Sequence, residues 1–253
     1  GRIIAQMTHY FYGYFKVAEY IGEDVNISVP SGGFGNLCAG GFARKMGLPI
    51  KKFIIANNKN ESLNRIFRNG IISKDKIHET VSSAIDIIIP YNFWRYLYFC
   101  NDNNSDNIKK WFNEFESKGT FQFDEETFRS YKDGFLSFSI SDKFTADTIK
   151  RTYEKEKYLL DPHGSVALSA IDSIEYNLNH IKTICLATAH PAKFPKITLK
   201  SLNKTQLPSA GVHKSIEDAK EKCQKGYSCE FSKLEVSLLN AIETNWERSN
   251  KIK

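Results

Sequence analysis

No stretch of this 253-residue chain is apolar for long enough to cross a bilayer, and its first residues do not have a signal-peptide layout. Neither a membrane partner nor secretion is expected. Cysteine is scarce and odd in number. Cys38, Cys100, Cys185, Cys223 and Cys229 are scattered, which fits reduced thiols in a cytoplasmic protein better than a disulfide framework. Only Cys223 and Cys229 lie close together, and no histidine or cysteine partners complete a zinc pattern around them, so no metal is expected. The formal net charge of +6 comes from scattered lysines. Without a compact basic stripe interleaved with aromatics, nucleic acid is not an expected partner. Neither Ser31 nor Ser165 stands in a nucleophile elbow, which leaves a serine hydrolase without support. There is no internal repeat and no low-complexity segment.

What is present is enough apolar material, 41% of residues, to bury a sizeable core. Helix and strand patterns alternate along much of the chain, the mark of an α/β protein. The organising stretch is Val29-Pro30-Ser31-Gly32-Gly33-Phe34-Gly35-Asn36. An alternating β-branched run, residues 25–29, precedes it and reads as a buried strand; residues 37–46 follow it and read as a helix closed by Gly47 and Pro49. Glycines between a strand end and a helix start let backbone come close to a ligand and take up positive φ, and the helix start offers free N–H groups to an anion. The plainer alternative is a tight turn with no ligand. The loop is not a Walker A, because Gly41 stands where a lysine belongs, and no G-x-G-x-x-G is present. The next strand, 52–56, ends in Asn57-Asn58 and so lacks the acid that would bind a ribose. A phosphate carried by some other cofactor remains.

The rest of the chain reads in order. Residues 2–21 form a long helix dense in aromatics, expected to pack on a sheet and closed by Gly22. A short helix over 61–69 stops at Gly70, and the apolar run 83–90 is a strand or apolar segment. Helices over 92–101 and 107–118 flank a polar loop. A strand over 134–139 leads to a helix over 146–158, a second helix runs from Gly164 to about Asn177, and a strand over 182–187 leads into Thr188. Residues 195–226 show little pattern, and 234–247 form a last amphipathic helix.

Four segments carry a family resemblance. Val29 to Asn36 resembles the phosphate loop of threonine synthases, which usually reads Pro, Ser or Thr, then Gly-Asn-Phe-Gly-Asp; here Gly33 replaces Asn and Asn36 replaces Asp. Arg2 to Thr8 resembles the helix ahead of that loop, and Leu159 to Val166 resembles an Asp-Pro-His-Thr-Ala-Val segment. Thr188-Ala189-His190-Pro191-Ala192-Lys193-Phe194 is identical to a family heptapeptide.

The resemblance implies a three-layer α/β sandwich with a mostly parallel sheet, of the tryptophan-synthase-β-like class that uses pyridoxal phosphate. It implies conversion of O-phosphohomoserine and water into threonine and phosphate. Gly32, Gly33, Phe34, Gly35 and Asn36 would hold the cofactor phosphate, and Thr188 would lie beside the pyridine nitrogen; read alone, Thr188 could equally be a strand-end turn residue. Side chains at Gly35 are expected to crowd the cradle. His190 is read as a loop-fixing residue, His163 as a helix-start residue and Lys193 as solvated. The family's Ser-Phe-Lys-Asp segment, whose lysine links to the cofactor, does not occur here. The expectation is therefore that residues 1–253 are a C-terminal portion of such an enzyme, mainly its large domain with an insertion-like helical region at about 92–133, and that they lack a catalytic lysine. The rival expectation is a non-catalytic homologue that binds a phosphate ligand or signals.

Overall fold

The computed structural model describes residues 1–174, 181–222 and 228–250, with side chains to residue 244. The chain divides into two compact units, Gly1–His213 and Lys214–Lys253.

The first unit opens with α1 (Arg2–Val17), β1 (Val25–Pro30), α2 (Gly35–Lys45), β2 (Ile50–Asn57), α3 (Ser62–Asn69) and β3 (Ile71–Ser73). There follow α4 (Tyr91–Cys100), α5 (Ser105–Lys118), β4 (Thr120–Gln122), α6 (Glu125–Lys132) and β5 (Phe135–Ser139). It ends with α7 (Asp142–Glu156), α8 (Pro162–Asp172), β6 (Thr183–Cys185) and α9 (Pro195–Leu202). The second unit contains α10 (Lys214–Lys220) and α11 (Leu234–Asn250). Among the described residues no helix is long and apolar enough to cross a membrane.

Four strands form a wholly parallel sheet in the order β5-β2-β1-β6. Every residue of β1 is buried, as expected of a central strand covered on both faces. The period of two sorts the core into layers. Ile27, Val29, Phe53 and Ile55 face one side, with Tyr10 and Tyr14 of α1 and Leu37, Ala39 and Ala43 of α2. Ile54 and Ala56 face the other, against Val166, Ala167 and Ala170 of α8. Ser28, buried within β1, donates its hydroxyl to the Ala167 carbonyl at 2.7 Å, so the polar side chain on the α8 face is satisfied. The three-layer α/β architecture is thus present. Residues 92–133 carry most of α4, then α5, β4 and α6, around Phe93, Trp94, Trp111, Phe115, Phe123 and Tyr131, and β4 pairs antiparallel with β3 from earlier in the chain.

Several expectations need correction. The first helix ends at Val17, not Ile21: Ala18 is extended, and the Tyr14 hydroxyl accepts the Gly22 N–H at 2.8 Å to fold the chain back. That helix also has a narrower apolar face than its aromatics imply, since Ile4, Tyr12 and Phe15 are exposed. Residues 83–90 form a 3-10 turn over Ser83–Ile85 and irregular chain rather than a strand. The cause is Asp86, whose carboxylate gathers Asn58 Nδ2 at 2.7 Å, Asn60 Nδ2 at 3.0 Å, the Thr80 hydroxyl at 2.6 Å and the Thr80 N–H at 3.0 Å. Such side-chain bonds compete with a ladder and hold an irregular backbone. Finally, the stretch 195–226 includes α9 and α10, with residues 223–226 and Cys223 outside the described residues, and α8 ends at Asp172, short of the expected Asn177.

Candidate active site

Strands β1 and β6 run parallel, with Ser28 opposite Cys185, and Leu186 N–H extends the pairing to the Ser28 carbonyl at 3.0 Å. Three residues beyond that rung the chain reaches Ser31 on one strand and Thr188 on the other, so both emerge at the carboxyl edge of the sheet, where open α/β sheets place ligands. A cavity of about 1180 Å³ opens there. Gly32, Gly33, Phe34, Gly35, Asn36 and Thr188 all line it, so the geometry brings together every residue singled out for a cofactor.

The loop is held from behind. Ser31 N–H donates to the Ala56 carbonyl at 3.0 Å, and Asn57 Nδ2 donates to the Ser31 carbonyl at 2.6 Å. Asn57 Oδ1 in turn accepts the Asn64 N–H at 2.8 Å. The Asn that replaces a ribose-binding acid is therefore a brace for the loop. On the far side both the N–H and Nδ2 of Asn92 donate to the Gly33 carbonyl, at 3.1 and 3.0 Å. With the loop's carbonyls drawn outward, the backbone N–H groups from Gly32 to Leu37 find no acceptor among the described residues. Helix α2 has no side-chain cap, so its orphan donors and the positive end of its dipole face the cavity.

The glycines work differently from expectation. None of Gly32, Gly33 and Gly35 has positive φ; the left-handed residue is Phe34, at φ 62° and ψ 9°. Its ring is fully buried and stacks 5.6 Å from Phe67, with Phe93 and Tyr96 at 5.5 and 5.4 Å. A non-glycine residue there costs roughly 1–3 kcal/mol, and burying a Phe ring in aromatic contact outweighs that. Gly32 and Gly33 instead serve close approach. A Cβ at Gly32 would stand 2.8 Å from the Ile85 carbonyl oxygen and 3.0 Å from Ile87 Cβ, and one at Gly33 would stand 3.0 Å from the Tyr91 ring. At Gly35 the nearest atom, Asn92 Nδ2, is 3.3 Å away, so the strictest glycine is Gly32 and not Gly35.

His163 and His190 take fixing roles. His163 is buried, bonds Asp161 Oδ1 through Nδ1 at 2.9 Å and accepts the Ala84 N–H on Nε2 at 3.1 Å, which pins the chain that forms the Gly32 wall. His190 accepts the Ala192 N–H at 3.1 Å and stabilises the turn after Thr188. Lys193 is exposed. Cys185, also in the cavity wall, has its thiol pushed up to about 12 by burial first and then by Asp161, so it stays protonated and is no nucleophile near neutral pH. Sequence reasoning missed Gln6, Asn92 and Arg95. Their signal is faint: single polar residues on otherwise apolar or aromatic helix faces.

Comparison with known proteins matches this picture. A family model described as "Threonine synthase, C-terminal" matches residues 165–231. Threonine synthase of Saccharomyces cerevisiae is 41% identical over 213 residues, covering 77% of this chain and 41% of that protein. The crystal structure of threonine synthase from yeast superposes with a TM-score of 0.82 at 34% identity, over 98% of this chain and 52% of the other.

The chain belongs to the threonine synthase family. It spans about half the length of the relatives it matches. PLP-bound threonine synthase from Brucella melitensis is also similar, with a TM-score of 0.75 at 31% identity over 82% of this chain and 44% of that one. The family depends on pyridoxal phosphate. The residues present fit the phosphate of that cofactor: unsatisfied backbone N–H groups at a helix start that has no side-chain cap, and two glycines whose Cβ atoms the walls exclude.

Proposed function

We propose that this chain is the part of a cytoplasmic threonine synthase that holds pyridoxal phosphate. Gly32, Gly33, Phe34, Gly35 and Asn36 take the phosphate through backbone N–H groups, and the Thr188 hydroxyl hydrogen-bonds the pyridine nitrogen. The intact enzyme would convert O-phosphohomoserine and water into threonine and phosphate. Residues 1–253 would supply its C-terminal portion, mainly the large domain, with 92–133 as an insertion-like region. The observation that carries the reading is the pair of neighbouring parallel strands that deliver a row of free N–H groups and Thr188 to one cavity.

When bound, the cofactor supplies an electron sink for bond breaking at the substrate's carbons. The chain's own contributions are positional. The loop's N–H groups anchor one end of the ligand, and Asn57 and Asn92 keep them aimed. Thr188 offers a neutral hydroxyl, which can bond the ring nitrogen but does not hold it charged as a carboxylate would. The family's linking lysine segment is not among these residues, so the 253-residue chain alone should give no turnover.

Charge-assisted hydrogen bonds contribute roughly 1.5–3 kcal/mol each, and a few of them offset the cost of fixing a ligand, so affinity should fall between about micromolar and millimolar. Pyridoxal phosphate is titrated against the chain and Gly32→Val, read by thermal shift. The unaltered chain should be protected and the variant should not. Equal protection of both would remove the loop from the cofactor site, and phosphate release from O-phosphohomoserine by the unaltered chain would overturn the assignment of the lysine.

A further inference from the structure

Gly32 and Gly33 are both closed to side chains, but by different groups. At Gly32 the nearest obstacle is backbone, the Ile85 carbonyl. At Gly33 the three atoms nearest a built Cβ belong to one side chain: Cε1, Cζ and Oη of Tyr91, each at 3.0 Å. Gly33 does not have positive φ, so its backbone would accept an ordinary residue. What keeps position 33 a glycine is therefore Tyr91. This is also a position at which the loop departs from the usual Gly-Asn-Phe-Gly-Asp.

Tyr91 is held in that place by its neighbour. It is the first residue of α4, and the next, Asn92, donates its N–H and Nδ2 to the Gly33 carbonyl at 3.1 and 3.0 Å. Those bonds tie the start of α4 across the loop and bring the edge of the phenol over the Cβ direction of Gly33. The amide of an asparagine lies just beyond its Cβ, so the Tyr91 hydroxyl stands where such an amide on residue 33 would end. Tyr91 lines the cavity, and its hydroxyl has no hydrogen-bond partner among the described residues. The residue is 60% exposed, so its ring adds little to the core.

We propose that the Tyr91 hydroxyl is a side-chain donor to the anion in the Gly32–Asn36 cradle and stands in for the amide that Gly33 lacks. This rests on the reading that the cradle holds the cofactor phosphate, and deepens it by adding a contact from a second element. The loop meets the phosphate with backbone N–H groups; the phenol adds an O–H from α4, and an O–H to a charged oxygen is among the stronger hydrogen bonds. Positions 33 and 91 are thus a matched pair. A long donor at 91 requires the smallest residue at 33, and a side chain at 33 requires a smaller neighbour at 91.

Pyridoxal phosphate, pyridoxal and inorganic phosphate are each titrated against the 253-residue chain and its variants, with binding read by calorimetry and ³¹P NMR. Tyr91→Phe keeps the ring and removes the hydroxyl. It should weaken pyridoxal phosphate and inorganic phosphate each by about tenfold and shift the ³¹P resonance of the bound cofactor. Pyridoxal affinity and the unfolding midpoint should stay nearly unchanged. Gly33→Asn alone should also weaken pyridoxal phosphate, because its Cβ meets the Tyr91 ring. Gly33→Asn combined with Tyr91→Ala should return to within about threefold of the unaltered chain, although each change alone weakens binding. A Tyr91→Phe chain that binds both phosphates as tightly as the unaltered chain overturns the proposal. So does an equal loss of pyridoxal, which would put the hydroxyl on the ring instead of the phosphate. A double variant that folds but stays weak also overturns it, reducing Tyr91 to packing. Failure of the cradle reading looks different: Gly32→Val would then leave pyridoxal phosphate affinity untouched, and the Tyr91 contact falls with it.

Discussion

Two helix starts border the same cavity and are built in opposite ways. Helix α8 begins with Asp161 as its cap and Pro162 at the first position. The Asp161 carboxylate accepts the His163 N–H at 2.9 Å and the Gly164 N–H at 3.3 Å, and also bonds the His163 ring. That start is closed, with its donors satisfied by the chain itself. Helix α2 begins at Phe34, which has no capping side chain, and leaves its donors to the cavity. The open start leaves backbone donors that the chain does not satisfy, whereas at the neighbouring start the chain has met the same requirement from within. The contrast also separates two uses of an unusual residue. At the closed start a buried carboxylate is balanced by three donors; at the open start backbone strain at Phe34 is balanced by aromatic packing.

The largest break in the comparison should come from Phe34. Phe34→Ala removes a fully buried ring from contact with Phe67, Phe93 and Tyr96 while keeping a side chain at positive φ. A loss of about 3–5 kcal/mol is expected in urea unfolding. Phe34→Gly creates the same cavity but relieves the left-handed strain, so it should be more stable than Phe34→Ala by about 1 kcal/mol. An alanine variant as stable as the glycine variant would show that the strain is not there.

Next comes the closed start. Asp161→Ala leaves two buried backbone donors and the His163 ring without their acceptor, at an expected cost of about 2–4 kcal/mol. Asp161→Asn keeps an acceptor oxygen and should cost clearly less. Pyridoxal phosphate affinity should respond far less to either change than to Gly32→Val. A collapse of affinity with intact folding would mean that the two starts are a single functional unit.

How much of this was legible beforehand depended on the kind of signal. The β-branched alternation of 25–29 gave strand β1, and the strand–glycine–helix order pointed to a loop that does line the cavity at the sheet edge. Thr188 was legible through its heptapeptide and its position after a strand, and it does reach the same cavity. Which glycine of the loop is the most tightly enclosed was not legible, because sequence cannot say which glycine faces a wall; the Ile85 carbonyl opposite Gly32 decides that. The run 83–90 could be read as a strand or an apolar segment, and the strand alternative failed because its apolar residues were counted and the acceptor capacity of Asp86 was not. Asn92 and Arg95 were invisible for a related reason: a polar residue on an aromatic helix has no meaning until its partner, here a loop carbonyl nearly sixty residues back, is brought to it.

The smallest effect should test that last contact and show whether the open start is held open or is merely left so. Asn92→Ala deletes the Nδ2 bond to the Gly33 carbonyl and the Oδ1 bond from Arg95. The Gly33 carbonyl keeps the Asn92 backbone N–H at 3.1 Å, so no buried acceptor is stranded, and the stability cost should be only about 1 kcal/mol. The truncation also leaves space next to Gly35, so nothing is crowded. If the amide matters chiefly for aim, pyridoxal phosphate affinity should fall several-fold while the unfolding midpoint moves little, and Asn92→Asp should do worse than alanine, because a carboxylate cannot donate to Gly33 and adds negative charge beside the cradle. Equal affinity in all three chains would show that the backbone bond alone orients the loop, and that the α2 start stays open without help from α4.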